Sequence, residues 1–253
     1  ETGDADDLHV TDDPDFVRLA TYSVDGAEPV ATTDIAGELI PLLEHADTIV
    51  GHNIVQYDLP ALQRLYGLDD KALIEAGKVH DTLILSRLAA GGDTHLGYGL
   101  DAVAERCGVD GKLLRDGDSA LKALAKQYGG FDKIPLDNAE YIAYALQDVR
   151  ANVAVYNQML PAALEAVSAE YLRREHEKIH VLSVVEAHGI RVDTAKVEQF
   201  LAEEAVVKAE IREWLVDTVG ILDEGKEPWS SNSGKQAIAD YLDSFGVAVP
   251  RTK

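Results

Sequence analysis

The apolar positions of this chain change their period several times, and each change marks an element. Residues 16–24 (Phe-Val-Arg-Leu-Ala-Thr-Tyr-Ser-Val) are dense in strand formers, Asp25-Gly26 is a two-residue hairpin signal, and Pro29-Val30-Ala31-Thr32-Thr33 resumes extended spacing. Asp34 can cap a helix running to about residue 46, with Ile35, Leu39, Leu42 and Leu43 on one face. Thr48-Ile49-Val50-Gly51-His52 is a short apolar run, the pattern of a buried strand. Helical spacing returns over 58–66. Val79-His80 leads into a helix over 82–90, which Gly91-Gly92 stops, and further helices are predicted over 99–107, 117–128 and 137–158. A hairpin followed by alternating strands and helices predicts an α/β layered fold for the first 160 or so residues.

The remainder changes character. Pro161 to about Ala187 reads as one helical pattern closed by His188-Gly189, and Ile190-Arg191-Val192-Asp193 as an extended link. Thr194 to Val219 reads as a long amphipathic helix ended by Gly220. A polar loop with Ser230, Ser231, Asn232 and Ser233 precedes a helix over about 234–245, stopped by Gly246. This places a boundary near 160–168 and predicts two domains, 1–165 and 166–253.

Composition narrows the class. The 253 residues are 46% apolar and 27% charged, which suits a packed core and argues against disorder. No run approaches the roughly 20 apolar residues of a membrane span, and no signal peptide is visible, so the expectation is a soluble, cytoplasmic protein. The lone Cys107 excludes a disulfide framework and a cysteine-rich zinc site. The net charge of −22 argues at first against a nucleic-acid partner. It is uneven, however: residues 1–50 hold 13 acidic side chains and one basic one. The opening Glu1-Thr2-Gly3-Asp4 and the closing Arg251-Thr252-Lys253 read as the ends of a fragment.

Three acidic sites carry candidate chemistry: Glu1-Thr2, Asn53-x3-Tyr57-Asp58 and Tyr144-x3-Asp148. Each has a plain structural reading, since an acid favours a helix N-terminus and a tyrosine one turn from an acid can be core. Together they suggest more. Tyr144 and Asp148 are four apart on a predicted helix and share a face. Asn53 and Asp58 straddle a strand-to-helix junction, where α/β sheets bind ligands. Magnesium prefers oxygen donors, and two ions about 4 Å apart can activate water and steady the leaving oxygen of a phosphodiester. The histidines (His45, His52 and His80 among them) show no metal-ligand spacing, Trp214 and Trp229 read as packing residues, and Asp81 reads as a structural cap beside the site.

Asn-x3-Tyr-Asp followed some 90 residues later by Tyr-x3-Asp resembles the second and third motifs of DEDDy-type 3′–5′ proofreading exonucleases. Glu1-Thr2 matches the second half of that family's first motif, Asp-x-Glu-Thr, whose Asp would precede Glu1. The landmarks Gly51-His52-Asn53, Tyr57-Asp58-Leu59-Pro60-Ala61-Leu62 and His80-Asp81-Thr82-Leu83-Ile84-Leu85-Ser86-Arg87-Leu88 are similar to the exonuclease domain of family A DNA polymerases, above all bacteriophage ones. Val185-Glu186-Ala187-His188-Gly189-Ile190-Arg191-Val192-Asp193, Ser233-Gly234-Lys235-Gln236 and Pro250-Arg251-Thr252-Lys253 resemble the opening of the polymerase region toward its thumb.

The resemblance implies an RNase H-like exonuclease fold, a mixed central sheet flanked by helices, with its first strand and first-motif Asp upstream of Glu1, followed by an all-α thumb-like segment. It implies that Glu1, Asp58 and Asp148 hold two Mg2+ (or Mn2+) ions and that Tyr144 orients the attacking water. A tyrosine with its ordinary pKa of about 10 is a poor general base at neutral pH, so the metals would do most of the deprotonation. Thr2, Asn53 and Tyr57 would meet the 3′-terminal nucleotide, and Ser233, Lys235 and Gln236 a DNA backbone. The implied partner is a single-stranded DNA 3′ end or primer–template, with a processivity factor possible in kind, no membrane, and a monomeric chain in a bacterial host cytoplasm. Two alternatives stay open: an inactive exonuclease-like scaffold of a polymerase, and a ribonuclease D-like enzyme trimming RNA 3′ ends.

Overall fold

In the computed structural model, which describes residues 12–111, 114–115 and 118–247, the hairpin signal is realised as a tight turn. Asp25 and Gly26 carry φ of 52° and 75°, and the Ala27 N–H closes the turn on the Val24 carbonyl at 2.9 Å. Asp tolerates this left-handed geometry and Gly meets no steric penalty in it, which is why the pair makes a hairpin. The turn joins β1 (Ala20–Tyr22) to β2 (Val30–Thr32), antiparallel, with Tyr22 opposite Val30. Asp34 then caps by accepting the Gly37 N–H at 2.8 Å. The helix it opens runs as a π-turn over Ile35–Leu39 before continuing as α1 (Ile40–His45).

The short apolar runs pair in parallel: β3 (Ile49–Gly51) lies beside β4 (Val79–Asp81), with Gly51 in register with Asp81. Between them come α2 (Asp58–Tyr66) and α3 (Asp70–Glu75), and after β4 the chain turns directly into α4 (Thr82–Ala89). The next elements are α5 (Leu100–Cys107), the antiparallel pair β5 (Leu114–Arg115) and β6 (Asp118–Ser119), and α6 (Ala120–Tyr128). The described strands thus form three separate two-stranded pairs, and the architecture is mixed α/β with a large helical part.

The longest helix, α7 (Ala139–Ala166), begins where Asn138 accepts the Tyr141 N–H at 2.9 Å. It packs on all of β1–β3, α4, α5 and α6, and on α8 (Ala169–His188). The main core gathers Ile49, Val55, Leu59, Leu62, Val79, Leu85 and Ala163, all buried. At about 1.5–3 kcal/mol for each fully buried large aliphatic side chain, this cluster outweighs the weak propensity of such short strands.

One boundary differs from the sequence expectation. Pro161 does not separate two helices: α7 runs through it, and the break falls at Val167-Ser168. A proline inside a helix costs about 3 kcal/mol. Here Ala163, two residues beyond the proline, is wholly buried, and its burial offsets part of that cost. Ser168, which accepts the Tyr171 N–H at 3.2 Å, supplies the cap for α8.

Close packing divides the chain into two compact units, Glu1–Gly189 and Ile190–Lys253. In the second, Asp193 caps α9 (Thr194–Trp214), which ends in a π-turn over Leu215–Val219 at left-handed Gly220. A polar loop then leads to α10 (Asn232–Asp243). Trp214 meets Tyr241 edge-on at 5.6 Å, and Tyr241 meets Phe245 at 5.1 Å, so Trp214 packs within this unit. Among the described residues no helix is long and apolar enough to cross a membrane.

Candidate active site

The second motif sits on a tightly constrained turn. Gly51 ends β3, and a Cβ there would fall 2.5 Å from Ile54 Cβ, so only glycine allows the chain to fold back so closely. Asn53 follows with φ of 61°, a left-handed conformation that Asn adopts more readily than most residues. Its carbonyl accepts the Tyr57 N–H at 3.1 Å, and Asp58 becomes the first residue of α2. Asp58 is exposed and its charge faces the helix dipole favourably. Asn53 and Tyr57 are half-buried, and the Tyr57 ring packs beside Phe16 and Ala61.

Asp81 holds this turn in place. Its carboxylate is buried and accepts the Asn53 N–H at 2.9 Å, the Val55 N–H at 3.2 Å and the Leu83 N–H at 2.9 Å. One side chain therefore fixes the β3–α2 turn and caps α4 together. Three N–H donors satisfy a buried carboxylate that would otherwise be costly. The reading of Asp81 as a structural cap stands, and its reach to the Asn53 turn adds to it.

The third motif lies on α7. Tyr144 is buried, and Asp148 is half-buried one turn later. A further turn along the same face, Asn152 accepts a hydrogen bond from the Thr82 hydroxyl at 2.6 Å. With that hydrogen committed, His52 Nδ1 is the donor in its 2.9 Å contact with Thr82 Oγ1. Tyr156, one turn further, bonds His80 Nδ1 through its hydroxyl at 2.7 Å. Asn152 and Tyr156 thus hold this stretch of α7 beside the carboxyl ends of β3 and β4, where Thr82 touches both the Gly51-His52 turn and α7. Thr21, on β1, donates to the Ala145 carbonyl at 3.1 Å and braces α7 from the hairpin side.

Sequence reasoning missed this supporting layer of Thr82, Asn152, Tyr156 and His176. His176, on α8, is buried and accepts the Asp81 N–H on Nε2 at 2.8 Å. No local motif marks these residues, because their roles depend on contacts between distant segments. Burial holds His80 and His176 below the ordinary histidine value and pushes the Cys107 thiol up, away from nucleophilic use.

The remaining expected residues are placed as follows. Glu1 and Thr2 lie outside the described residues. Ser233, Lys235 and Gln236 stand in the first two turns of α10, where Ser231 caps by accepting the Gly234 N–H at 2.9 Å and Gln236 donates to Asp240. A Cβ at Gly234 would collide with the Pro228 carbonyl oxygen, so this Gly is required by the turn. As donors, Asp58 and Asp148 suit a hard divalent cation in kind. Among the described residues no three His, Cys, Asp or Glu side chains converge as a cation site. Comparison with known proteins finds no family model that matches this chain and no curated protein significantly similar to it.

Proposed function

We propose that this chain is the proofreading 3′–5′ exonuclease part of a family A DNA-directed DNA polymerase, with an RNase H-like exonuclease unit followed by the start of the thumb region. The observation that best supports the reading is that Thr82 hydrogen-bonds both His52 and Asn152, and so links the β3–α2 turn to α7. Asn53 and Asp58 flank a strained turn at the end of β3, and Tyr144 and Asp148 share the face of α7 that Asn152 anchors to Thr82 beside that turn. Strain in a non-glycine residue at a strand end is typical of functional turns.

On this reading the substrate is the 3′-terminal phosphodiester of single-stranded or frayed primer DNA, and the product is a 5′-mononucleotide. Asp58 and Asp148, with Glu1, would hold two Mg2+ or Mn2+ ions, which supply an acidified water and charge stabilisation at the phosphate. The protein's own residues do the positioning. Asn53 and Tyr57 border the place of the terminal nucleotide, and Tyr144 orients the water by its hydroxyl. Asp81, through the backbone amides of Asn53 and Val55, keeps the Asn53 turn from relaxing. The acidic surface is compatible with this chemistry, because bound divalent ions attract phosphate locally.

The test pairs cleavage with metal binding. The chain is incubated with 5′-labelled single-stranded DNA and Mg2+ or Mn2+. Stepwise shortening from the 3′ end is expected, reduced at least about 100-fold in Asp58→Ala and in Asp148→Ala. Mn2+ titration by calorimetry should show binding that both substitutions weaken. Cleavage unaffected by either substitution would remove the metal assignment. Binding of no divalent ion would favour an inactive scaffold, and a preference for RNA ends would favour RNA trimming.

A further inference from the structure

We infer that His176 is a positioning residue that ties helix α8 to the candidate active site by holding the main chain of Asp81. The inference rests on the Asn53–Asp58 turn being that site. Asp81 ends β4, whose only strand partner among the described residues is β3. Its buried N–H needs another acceptor, and His176 Nε2 provides it at 2.8 Å across 95 residues of sequence.

The ring has one usable state. His176 Nδ1 lies 2.9 Å from the Leu172 carbonyl and must carry the proton there. Nε2 is then a lone pair, as the Asp81 N–H requires, and the ring is neutral. Protonation would set N–H against N–H and break the link. The groups facing the ring are few. From β4 come Asp81 and His80, whose ring centroid is 6.4 Å away. From α7 comes Tyr156, through its bond to His80. On α8 itself stands Glu175. Burial lowers the His176 pKa, and the Leu172 carbonyl, followed by the Asp81 and Glu175 carboxylates, offsets it only in part.

The consequence travels one step. The Asp81 carboxylate fixes Asn53 and Val55, and the Asp81 N–H is fixed by α8. Displacing α8, or protonating His176, frees the strand end and loosens the turn that presents Asn53 and Asp58. The segment that leaves the exonuclease unit thereby reports its position to the site.

Hydrogen exchange by mass spectrometry on the full chain tests this, with peptides spanning 49–58 and 79–86, at about pH 7.5 and about pH 5.5, corrected for intrinsic rates. In the wild type, protection of both peptides should fall at the lower pH. His176→Ala should speed their exchange about tenfold or more at both values, leaving 120–128 unchanged. His176→Gln, whose amide oxygen can accept the Asp81 N–H but cannot titrate, should keep protection at both. Unchanged exchange in His176→Ala, or a pH response in His176→Gln equal to that of the wild type, would overturn the inference. Cleavage of single-stranded DNA, measured alongside, separates the two ideas: the expected exchange pattern in a wild type that cleaves nothing overturns the reading of the site and leaves the positioning role intact.

Discussion

Thr82 and Asn152 are 70 residues apart in sequence and 2.6 Å apart in space, and their hydrogen bond fixes where α7 passes the strand ends. Thr82 is fully buried, so its hydroxyl has no water to fall back on. Thr82→Val keeps the shape and removes the hydroxyl, leaving Asn152 Oδ1 and His52 Nδ1 without this partner. The expected cost is about 1–3 kcal/mol in urea unfolding. Thr82→Ser, which keeps the hydroxyl, should cost less. Equal stability of Thr82→Val and wild type would show that this bond does not hold α7.

Gly51 and Ile54 make the second constraint. In Gly51→Ala the new methyl would lie 2.5 Å from Ile54 Cβ, so the turn must shift. Overpacking of this kind costs about 1–3 kcal/mol. Removing the neighbour's whole side chain, Cβ included, should recover part of it: Gly51→Ala with Ile54→Gly is expected to lose less than the two single losses added together. Strict additivity in a double-mutant cycle would mean that the two residues do not press on each other.

The pH dependence of stability has a definite sign. Burial lowers both His80 and His176 from the ordinary value of 6.5, so the folded chain binds fewer protons than the unfolded chain below that pH. Their contribution is fully present above about pH 6.5 and is lost as pH falls toward the lowered folded values. Asp70 acts in the opposite sense. Burial raises it above 3.8 despite His180 nearby, so its contribution is present below that value and lost as pH rises through the raised one. Urea midpoints should therefore drop on acidification from about pH 7 to about pH 5. His176→Gln should flatten that drop, and Asp70→Asn should raise the midpoint at neutral pH. A drop as steep in His176→Gln as in the wild type would place the titration elsewhere.

What the sequence made legible is what neighbouring residues decide. Asp25-Gly26, the cap Asp34 and the stop at Gly220 depend on a few adjacent residues, and each is found where expected. The shared face of Tyr144 and Asp148 follows from helical geometry alone. Helix α3, of six residues, was not read, because it is too short for a period to build up, although Asp69 caps it by accepting the Ala72 N–H at 2.9 Å. The Asp81 carboxylate was legible as a cap on Leu83, two residues away. Its grip on Asn53 and Val55 and its link to His176 were not, since these join segments that only tertiary packing brings together.

Pro161 tests the same division from the other side. Local chemistry argued for a helix end, whereas burial of Ala163 carries α7 onward to Ala166. Proline has no N–H to give the Asn157 carbonyl, the acceptor four residues back, and both Asn157 and Pro161 lie on the exposed side of the helix. Pro161→Ala should restore that bond and relieve the ring's clash with the preceding turn. Set against this is the larger entropy of the unfolded chain once proline is removed, about 0.4–1 kcal/mol. The net expectation is a stabilisation of about 2–2.6 kcal/mol with slightly higher helix content by circular dichroism. A less stable Pro161→Ala chain would mean that the proline ring itself packs favourably. In that case burial of Ala163 alone does not account for the continued helix.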